Sequence, residues 1–377
     1  MVYLKYNVKM TQRTALIYNP EINSYHFGKT HPFNGERFKV FVNFLKKNLE
    51  NFNDYFEEFL PKPATEKDLA LFHSQEYTEV IKKASSGIIL PDIFKYISAD
   101  NVDFSTGYLP KDIEKPARII AGTSLLAGEL VLKGKFKKAI GVGGGLHHAR
   151  KSFGEGFCIY NDVVICAKNL LNKGLKKILI LDTDAHAGNG VMEAFYEENQ
   201  VLFIDIHQDP KTLYPGTGFI EEVGQGKGQG FTINIPLLPG TSDNAYQFIF
   251  EEIIFPLAKE FKPELIIRYG GSDPYFADGL TNLGLTLEGF KMIGEKVRAL
   301  ADFVCQGKEV DLIASGYNKE ILPLAWTALI SGLLDLKIKL KDPKQKLAPS
   351  KNSKFKETKE IAKELKRHLK EYWRCLE

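Results

Sequence analysis

Residues 177–190 read Lys177-Ile178-Leu179-Ile180-Leu181-Asp182-Thr183-Asp184-Ala185-His186-Ala187-Gly188-Asn189-Gly190, an apolar run that breaks abruptly into acids, a histidine and glycines. An apolar, β-branched stretch of this length bounded by glycine reads as a buried parallel strand, and open α/β sheets bind ligands just beyond such strand ends. Side chains alternate faces along an extended chain, so Asp182, Asp184 and His186 share one side if the extended form persists to residue 186. Unpaired charge is costly to bury, so two acids and a histidine in phase after a hydrophobic strand favour a metal or catalytic site over a solvated loop.

Outward from this strand the same pattern repeats. A strand over 138–142 runs into Gly143-Gly144-Gly145-Leu146-His147-His148, where the glycines permit a tight backbone path and two histidines emerge together. A strand over 201–206 carries Asp205, which needs a partner if buried, and ends at His207. Strands over 265–269 and 310–314 are followed by Gly270-Gly271-Ser272-Asp273-Pro274 and Ser315-Gly316-Tyr317. Strands over 14–18 and 231–236 complete the set. Helical spacing covers 38–51, 68–84, 116–133, 162–171, 191–199, 242–261, 287–303 and 321–334. His73, inside the second of these, reads as a satisfied core or surface histidine. The alternation predicts an α/β fold, a mainly parallel sheet flanked by helices on both faces, and its strand ends form one edge. His147, His148, Asp182, Asp184, His186, His207, Asp273 and Tyr317 all fall at or near that edge.

The chain has 377 residues, 44% of them hydrophobic, enough for a substantial core. Its formal charge of +3, from 50 Lys plus Arg against 47 Asp plus Glu, gives no sign of a direct nucleic-acid or membrane partner. Cys158, Cys166, Cys305 and Cys375 have no paired spacing and read as free thiols in a reducing compartment. The first residues lack the apolar block of a signal peptide, and Met10 is a possible alternative start with the first nine residues as an extension. With no membrane span, the expected location is cytoplasmic. Residues 1–340 form the expected catalytic domain. Residues 341–377 are a Lys-rich linker followed by an amphipathic helix over 358–376, packed on the domain.

Two carboxylates and an imidazole from Asp184, His186 and Asp273 suit a borderline divalent ion such as Zn²⁺ and leave positions open for water and substrate. Two carboxylates nearly cancel the metal charge, so a nearby general base is needed, and His148 with His147 beside it is the candidate. Asp182 could hold one imidazole in a charged dyad, and neutral Asn189 the other. Water attacking a carbonyl creates an oxyanion, for which Tyr317 is a suitable donor, so the reaction class is metal-assisted amide hydrolysis. Phe157 and Tyr214, on glycine-rich loops, would make a slot for an extended alkyl chain. Ordinary loop packing explains them equally well from spacing alone.

These motifs, with His31-Pro32, Arg37, Gly-Phe-Cys-Ile-Tyr-Asn-Asp over 156–162 and Tyr-Pro-Gly-Thr-Gly over 214–218, run in order from Tyr18 to Leu334. The chain resembles the zinc-dependent histone deacetylase family, with its bacterial acetoin-utilisation and acetylpolyamine deacetylase members. The resemblance implies the arginase/deacetylase fold, with a parallel sheet of about eight strands. It implies Asp184, His186 and Asp273 as ligands of Zn²⁺, with Fe²⁺ an alternative, and His147 and His148 as the tandem pair with His148 the proton shuttle. Tyr317 would polarise the acetyl carbonyl, and Phe157, Tyr214, Gly156 and Leu280 would line the acetyl-lysine tunnel. Asp182 and Asp205 match the positions of a monovalent cation, usually K⁺.

This sequence departs from the family pattern in four places. Ala187 stands where a second histidine is usual, Asp205 replaces a small hydroxyl residue, and Asn189 replaces Asp as in some classes. The loop at 101–109 aligns poorly, leaving Asp103 as the guess for a substrate-orienting acid. The short Asp-Ala-His-x-Gly-Asn-Gly form looks most like the small class IV members.

The implied activity is removal of acetyl groups from lysine in a peptide or protein, or from a related amine such as an acetylpolyamine. A dinuclear manganese ureohydrolase would want a second bridging Asp at 188, where this chain has glycine. A non-catalytic acetyl-lysine binder is the remaining alternative, and the presence of Tyr317 and every ligand weighs against it.

Overall fold

The structure, a computed structural model, describes residues 13–376. The reading of Met10 and the first nine residues lies outside them. Among the described residues eight strands form one parallel sheet: β1 Thr14–Ile17, β2 Phe56–Phe59, β3 Lys138–Val142, β4 Ile178–Asp182, β5 Val201–Gln208, β6 Thr232–Leu237, β7 Leu265–Gly270 and β8 Glu309–Ile313. Their order is β2-β1-β3-β8-β7-β4-β5-β6, and every pairing is parallel. All residues of β4, β5, β7 and β8 are buried, which explains their continuous apolar runs: both faces are covered by helices.

The chain places β3 on one side of the sheet and then crosses to β4, with β7 and β8 later filling the gap between them. Connections on the two sides of such a gap diverge and open a crevice beyond the strand ends. The paired ends of β3, β8, β7, β4 and β5 therefore supply the site. A bidentate ion pair in the core ties two of them together: Arg268 on β7, fully buried, donates from Nε and Nη2 to the Asp311 carboxylate on β8 at 2.9 and 2.7 Å. Its remaining nitrogen reaches the Thr183 hydroxyl at 3.2 Å, anchoring the turn that follows β4.

Three local expectations change. The helix expected over 68–84 is broken, because Thr65 and Asp68 form a capping box for the short helix Glu66–Leu69 while Ser74 caps a new helix, Gln75–Ser85. Between them His73 is drawn into the core, where Nε2 accepts the Asn161 N–H at 2.9 Å. The helix expected over 242–261 widens into a π-helical turn at Phe250–Ile254, just before Pro256, whose ring lacks the N–H that a regular helix would use. The edge strand β2 went unrecognised in the sequence because its Glu57 and Glu58 interrupt the apolar pattern. Both are ion-paired, Glu57 with Arg13 and Lys135, Glu58 with Lys46.

The C-terminal helix spans Phe355–Leu369, shorter than expected, and buries Ala362, Leu365 and Leu369 against the helix Asp243–Ile249 and β6. Beyond it the Trp373 indole N–H donates to the Gly230 carbonyl at 2.6 Å, just ahead of β6. Among the described residues, no helix is long and apolar enough to cross a membrane. All four cysteines are free thiols.

Candidate active site

β4 stops at Asp182, so the extended form does not carry through to residue 186 as the sequence reading supposed. The chain turns instead, each acid capping the backbone two residues on: Asp182 Oδ1 accepts from the Asp184 N–H at 2.8 Å, and Asp184 Oδ1 from the His186 N–H at 2.9 Å. The three side chains then part. Asp182 faces His147, while Asp184 and His186 converge with Asp273 from the end of β7.

The ligand atoms of Asp184, His186 and Asp273 all lie within 4.8 Å of one another, and all three residues are buried. His186 Nδ1 is 3.0 Å from both Asp184 Oδ1 and Asp273 Oδ2. Burial works against an imidazolium here, but hydrogen bonds to the two carboxylates outweigh it and raise His186 to about 10. Burial and the neighbouring Asp184 push the Asp273 carboxyl up to about 8. A pocket whose field favours positive charge this strongly is the setting a divalent cation requires.

The tandem histidines stand beside this cluster. The loop that carries them is shaped by Asp162, whose carboxylate accepts the N–H groups of Gly145 at 2.9 Å and Leu146 at 2.7 Å. His147 Nδ1 is 2.9 Å from Asp182 Oδ2, His148 Nδ1 is 2.7 Å from Asn189 Oδ1, and the two Nε2 atoms are 3.1 Å apart. Burial lowers the His147 imidazole, but Asp182 and Asp184 more than offset it and raise it to about 9. His148, buried and next to that positive ring, is held well below the usual histidine range. Their unlike partners thus pull the pair apart, His147 toward the cation and His148 toward the neutral ring.

Tyr317 sits across from them, its ring edge-on to His186 at a centroid distance of 6.3 Å. Burial and the nearby Asp273 raise its phenol far above the normal range, so it remains a proton donor. Its turn is held by Asp278, which accepts the Tyr317 N–H at 2.8 Å, and by half-buried Arg37, which donates to the Gly316 carbonyl at 2.8 Å.

Phe157 packs edge-on against Tyr317 with centroids 6.0 Å apart, and Tyr214 against His148 at 5.1 Å. The two aromatics therefore flank the site on its Tyr317 side and its His148 side. Gly156 backs onto the His148 ring, and Leu280, 41% exposed, lies on the Asp278 loop.

Asp182 and Asp205 are direct neighbours in the register of β4 and β5. Burial, and then Asp205, push the Asp182 carboxyl up to about 7. Asp205 Oδ2 accepts the Gly188 N–H at 2.8 Å, whereas Oδ1, 2.8 Å from His207 Nδ1, makes no aligned hydrogen bond. His207 is thus drawn to Asp205 and to the Gly218 carbonyl, 2.8 Å from Nε2, and away from the ligand cluster.

Sequence reasoning passed over several residues. The Ser315 hydroxyl, with one hydrogen to donate, lies within hydrogen-bond reach of both the Asp184 and the Asp273 carboxylates, although it sits in the quoted Ser-Gly-Tyr stretch. In the poorly aligned loop, Asp103 spends its carboxylate on the Ser105 N–H and hydroxyl at 2.8 and 2.6 Å. Asp100 instead reaches the N–H of Gly156, the residue before Phe157, at 3.2 Å. Glu155 accepts from the Asn189 amide and the Tyr214 hydroxyl. No periodicity marks Ser315, Asp100 or Glu155.

Known proteins resemble this chain along most of its length. The model of the histone deacetylase domain matches residues 31–333. The acetoin utilization protein AcuC of Staphylococcus aureus is 36% identical over 327 residues, covering 86% of this chain and 82% of that protein. The AcuC protein of Staphylococcus xylosus is 35% identical over 326 residues, with 86% and 83% covered. A probable deacetylase of Archaeoglobus fulgidus is 33% identical over 371 residues, 96% of this chain and 99% of that one. The solved structure of the HDA15 HD domain superposes with a TM-score of 0.82 at 24% identity, covering 97% of each chain, which gives the fold as that of a histone deacetylase domain. With the sheet, the ordered motifs and these relatives in agreement, the chain belongs to the histone deacetylase family.

Proposed function

We propose that the protein is a metal-dependent deacetylase that hydrolyses the amide of acetyl-lysine or a related acetylated amine. The observation that carries this reading is the meeting of Asp184, His186 and Asp273 in one buried cluster that faces a histidine pair and a phenol. Two carboxylates and one imidazole fit Zn²⁺ or Fe²⁺ and leave room for further ligands. When bound, the metal supplies Lewis-acid activation of water and of the acetyl carbonyl.

The chain's own groups do the rest. His148, neutral, with Nδ1 committed to Asn189, takes the proton of the attacking water at Nε2. His148 then hands that proton to the departing amine, while His147, held at Nδ1 by Asp182, lends positive charge beside the buried carboxylates. Tyr317 donates its phenolic hydrogen to the carbonyl oxygen as negative charge develops there. Phe157 and Tyr214 flank the alkyl chain and exclude water, with Gly156 and Leu280 completing the wall. Asp100 is a better candidate than Asp103 for orienting the substrate backbone, because it adjoins Gly156.

K⁺ is proposed as a second ion near Asp182 and Asp205. The unsatisfied Asp205 Oδ1 and Tyr269 hydroxyl support it, and His207 shares in neutralising the pair. The ureohydrolase reading lacks its bridging acid at residue 188, where a Cβ would fall 2.5 Å from the Tyr269 hydroxyl and 2.6 Å from Asp182 Oδ2, so that an aspartate there would have to displace them. We read residues 1–340 as the catalytic unit, 341–377 as a strap upon it, and the enzyme as cytoplasmic.

The test is acetate release from acetyl-lysine peptides by metal-replete protein. Acetylpolyamines are assayed in parallel, since Asp100 near the tunnel would suit a cationic amine. Hydroxamate-sensitive turnover that disappears in Asp184→Ala is expected. Turnover unchanged by that substitution would overturn the reading.

A further inference from the structure

The base's partner is an amide, and an amide has two unlike ends. Asn189 Oδ1 stands 2.7 Å from His148 Nδ1, so it must accept, which puts the hydrogen on Nδ1 and the lone pair on Nε2. Rotated by half a turn, the same amide would offer its NH₂ to Nδ1 and favour the opposite tautomer, with Nε2 already protonated and unable to act as a base. The two orientations have almost the same shape, so only the surrounding hydrogen bonds choose between them. An aspartate in this place would accept from either oxygen and would need no such choice.

The other end of the amide meets Glu155. Asn189 Nδ2 donates to Glu155 Oε1 at 2.9 Å, and an ionised carboxylate can only accept. Glu155 is itself fixed: Arg150 Nε donates to the same oxygen at 2.5 Å, and the Tyr214 hydroxyl donates to Oε2 at 3.1 Å. Arg150 is tied in turn to Glu193 at 3.2 Å. Glu155 is 14% exposed and belongs to the Gly154-Glu155-Gly156 turn, so its reach to Asn189 is short and direct.

We infer that Glu155 is a positioning residue that locks the Asn189 amide in one orientation and thereby sets the tautomer of His148. The inference rests on the deacetylase reading above for its catalytic meaning, though not for its geometry. Because Tyr214 shares the same carboxylate, the tunnel wall and the base are joined through one side chain.

The experiment removes the acceptor and then the need for it. Glu155→Leu has nothing to hold the Asn189 NH₂ and lets the amide turn, and kcat should fall at least about tenfold with KM within about twofold, since a mis-protonated base is lost to catalysis, not to binding. Asn189→Asp alone sets two carboxylates against each other and should also be impaired. The double variant Glu155→Leu/Asn189→Asp presents an oxygen to His148 Nδ1 in either orientation and should recover most of kcat. A double variant no better than the singles would overturn the inference. A second readout is independent of turnover: in metal-stripped protein carrying ¹⁵N-histidine, the ring nitrogens of His148 should report Nδ1–H in the wild type, a shift toward Nε2–H in Glu155→Leu, and a return in the double variant. An unchanged ring pattern in Glu155→Leu sinks the inference even in an active enzyme. The expected pattern in a protein that hydrolyses no acetyl amide would sink the deacetylase reading and keep this one.

Discussion

Gly156 and His148 touch: a Cβ built on Gly156 would fall 2.1 Å from the His148 ring carbon Cδ2, and the glycine's φ of +59° lies in the left-handed region. Any side chain at 156 must therefore displace the proposed base. Gly156→Ala should cost about 1–2 kcal/mol of stability from backbone strain alone. It should lower kcat by about 100-fold, because a misplaced catalytic group loses its alignment. Steady-state kinetics and urea denaturation on the same sample check this, and full activity in the variant would show that His148 does not act from its observed position.

Tyr317→Phe removes one oxygen and leaves the ring that packs on Phe157 and His186. Loss of a donor to the developing oxyanion should reduce kcat by about 100- to 1000-fold with KM nearly constant. Elemental analysis should show unchanged metal content, which separates the loss from damage to the ligand cluster.

Metal removal should lower thermal stability, since the ligand cluster places two carboxylates in a buried site. Titrating zinc back to about 100 times its Kd should return about 3 kcal/mol. Asp184→Asn should abolish the zinc-dependent gain in a melting experiment. A melting temperature indifferent to zinc in the wild type would remove the metal centre from consideration.

The pH dependence of the metal-stripped protein follows from His147. Its folded pKa of about 9 lies above the ordinary 6.5, with Asp182 and Asp184 overcoming the cost of burial. A raised basic group stabilises the fold fully below its unfolded pKa and loses that contribution as pH rises through the folded value. Between these two limits the wild type should lose stability that a His147→Gln variant does not. Urea unfolding of both proteins across that range measures the difference, and parallel curves would refute it.

The sheet was legible because its central strands are buried on both faces and so read as unbroken apolar runs ending in glycine. β2 was not, since an edge strand with ion-paired Glu57 and Glu58 carries no such run. The ligand cluster was legible for the same reason as the strands that deliver it: Asp184, His186 and Asp273 follow them closely in sequence. Its detailed geometry was not, because the turn after Asp182 depends on side-chain-to-backbone bonds that strand alternation does not describe. Ser315, Glu155 and Asp100 act through contacts across loops, and their local sequence gives each no more prominence than any other polar residue.

The tail has a consequence for how copies of this protein meet one another. Among the described residues β6 ends the sheet, and the helix Phe355–Leu369 lies against it while Trp373 grips the carbonyl of Gly230 just ahead of it. An unguarded outer strand is a template on which a second molecule can add its own strand. Shortening the chain at Lys354 should leave the remote chemistry intact and yet turn clear solutions cloudy on concentration, because the guard on the outermost strand would be gone.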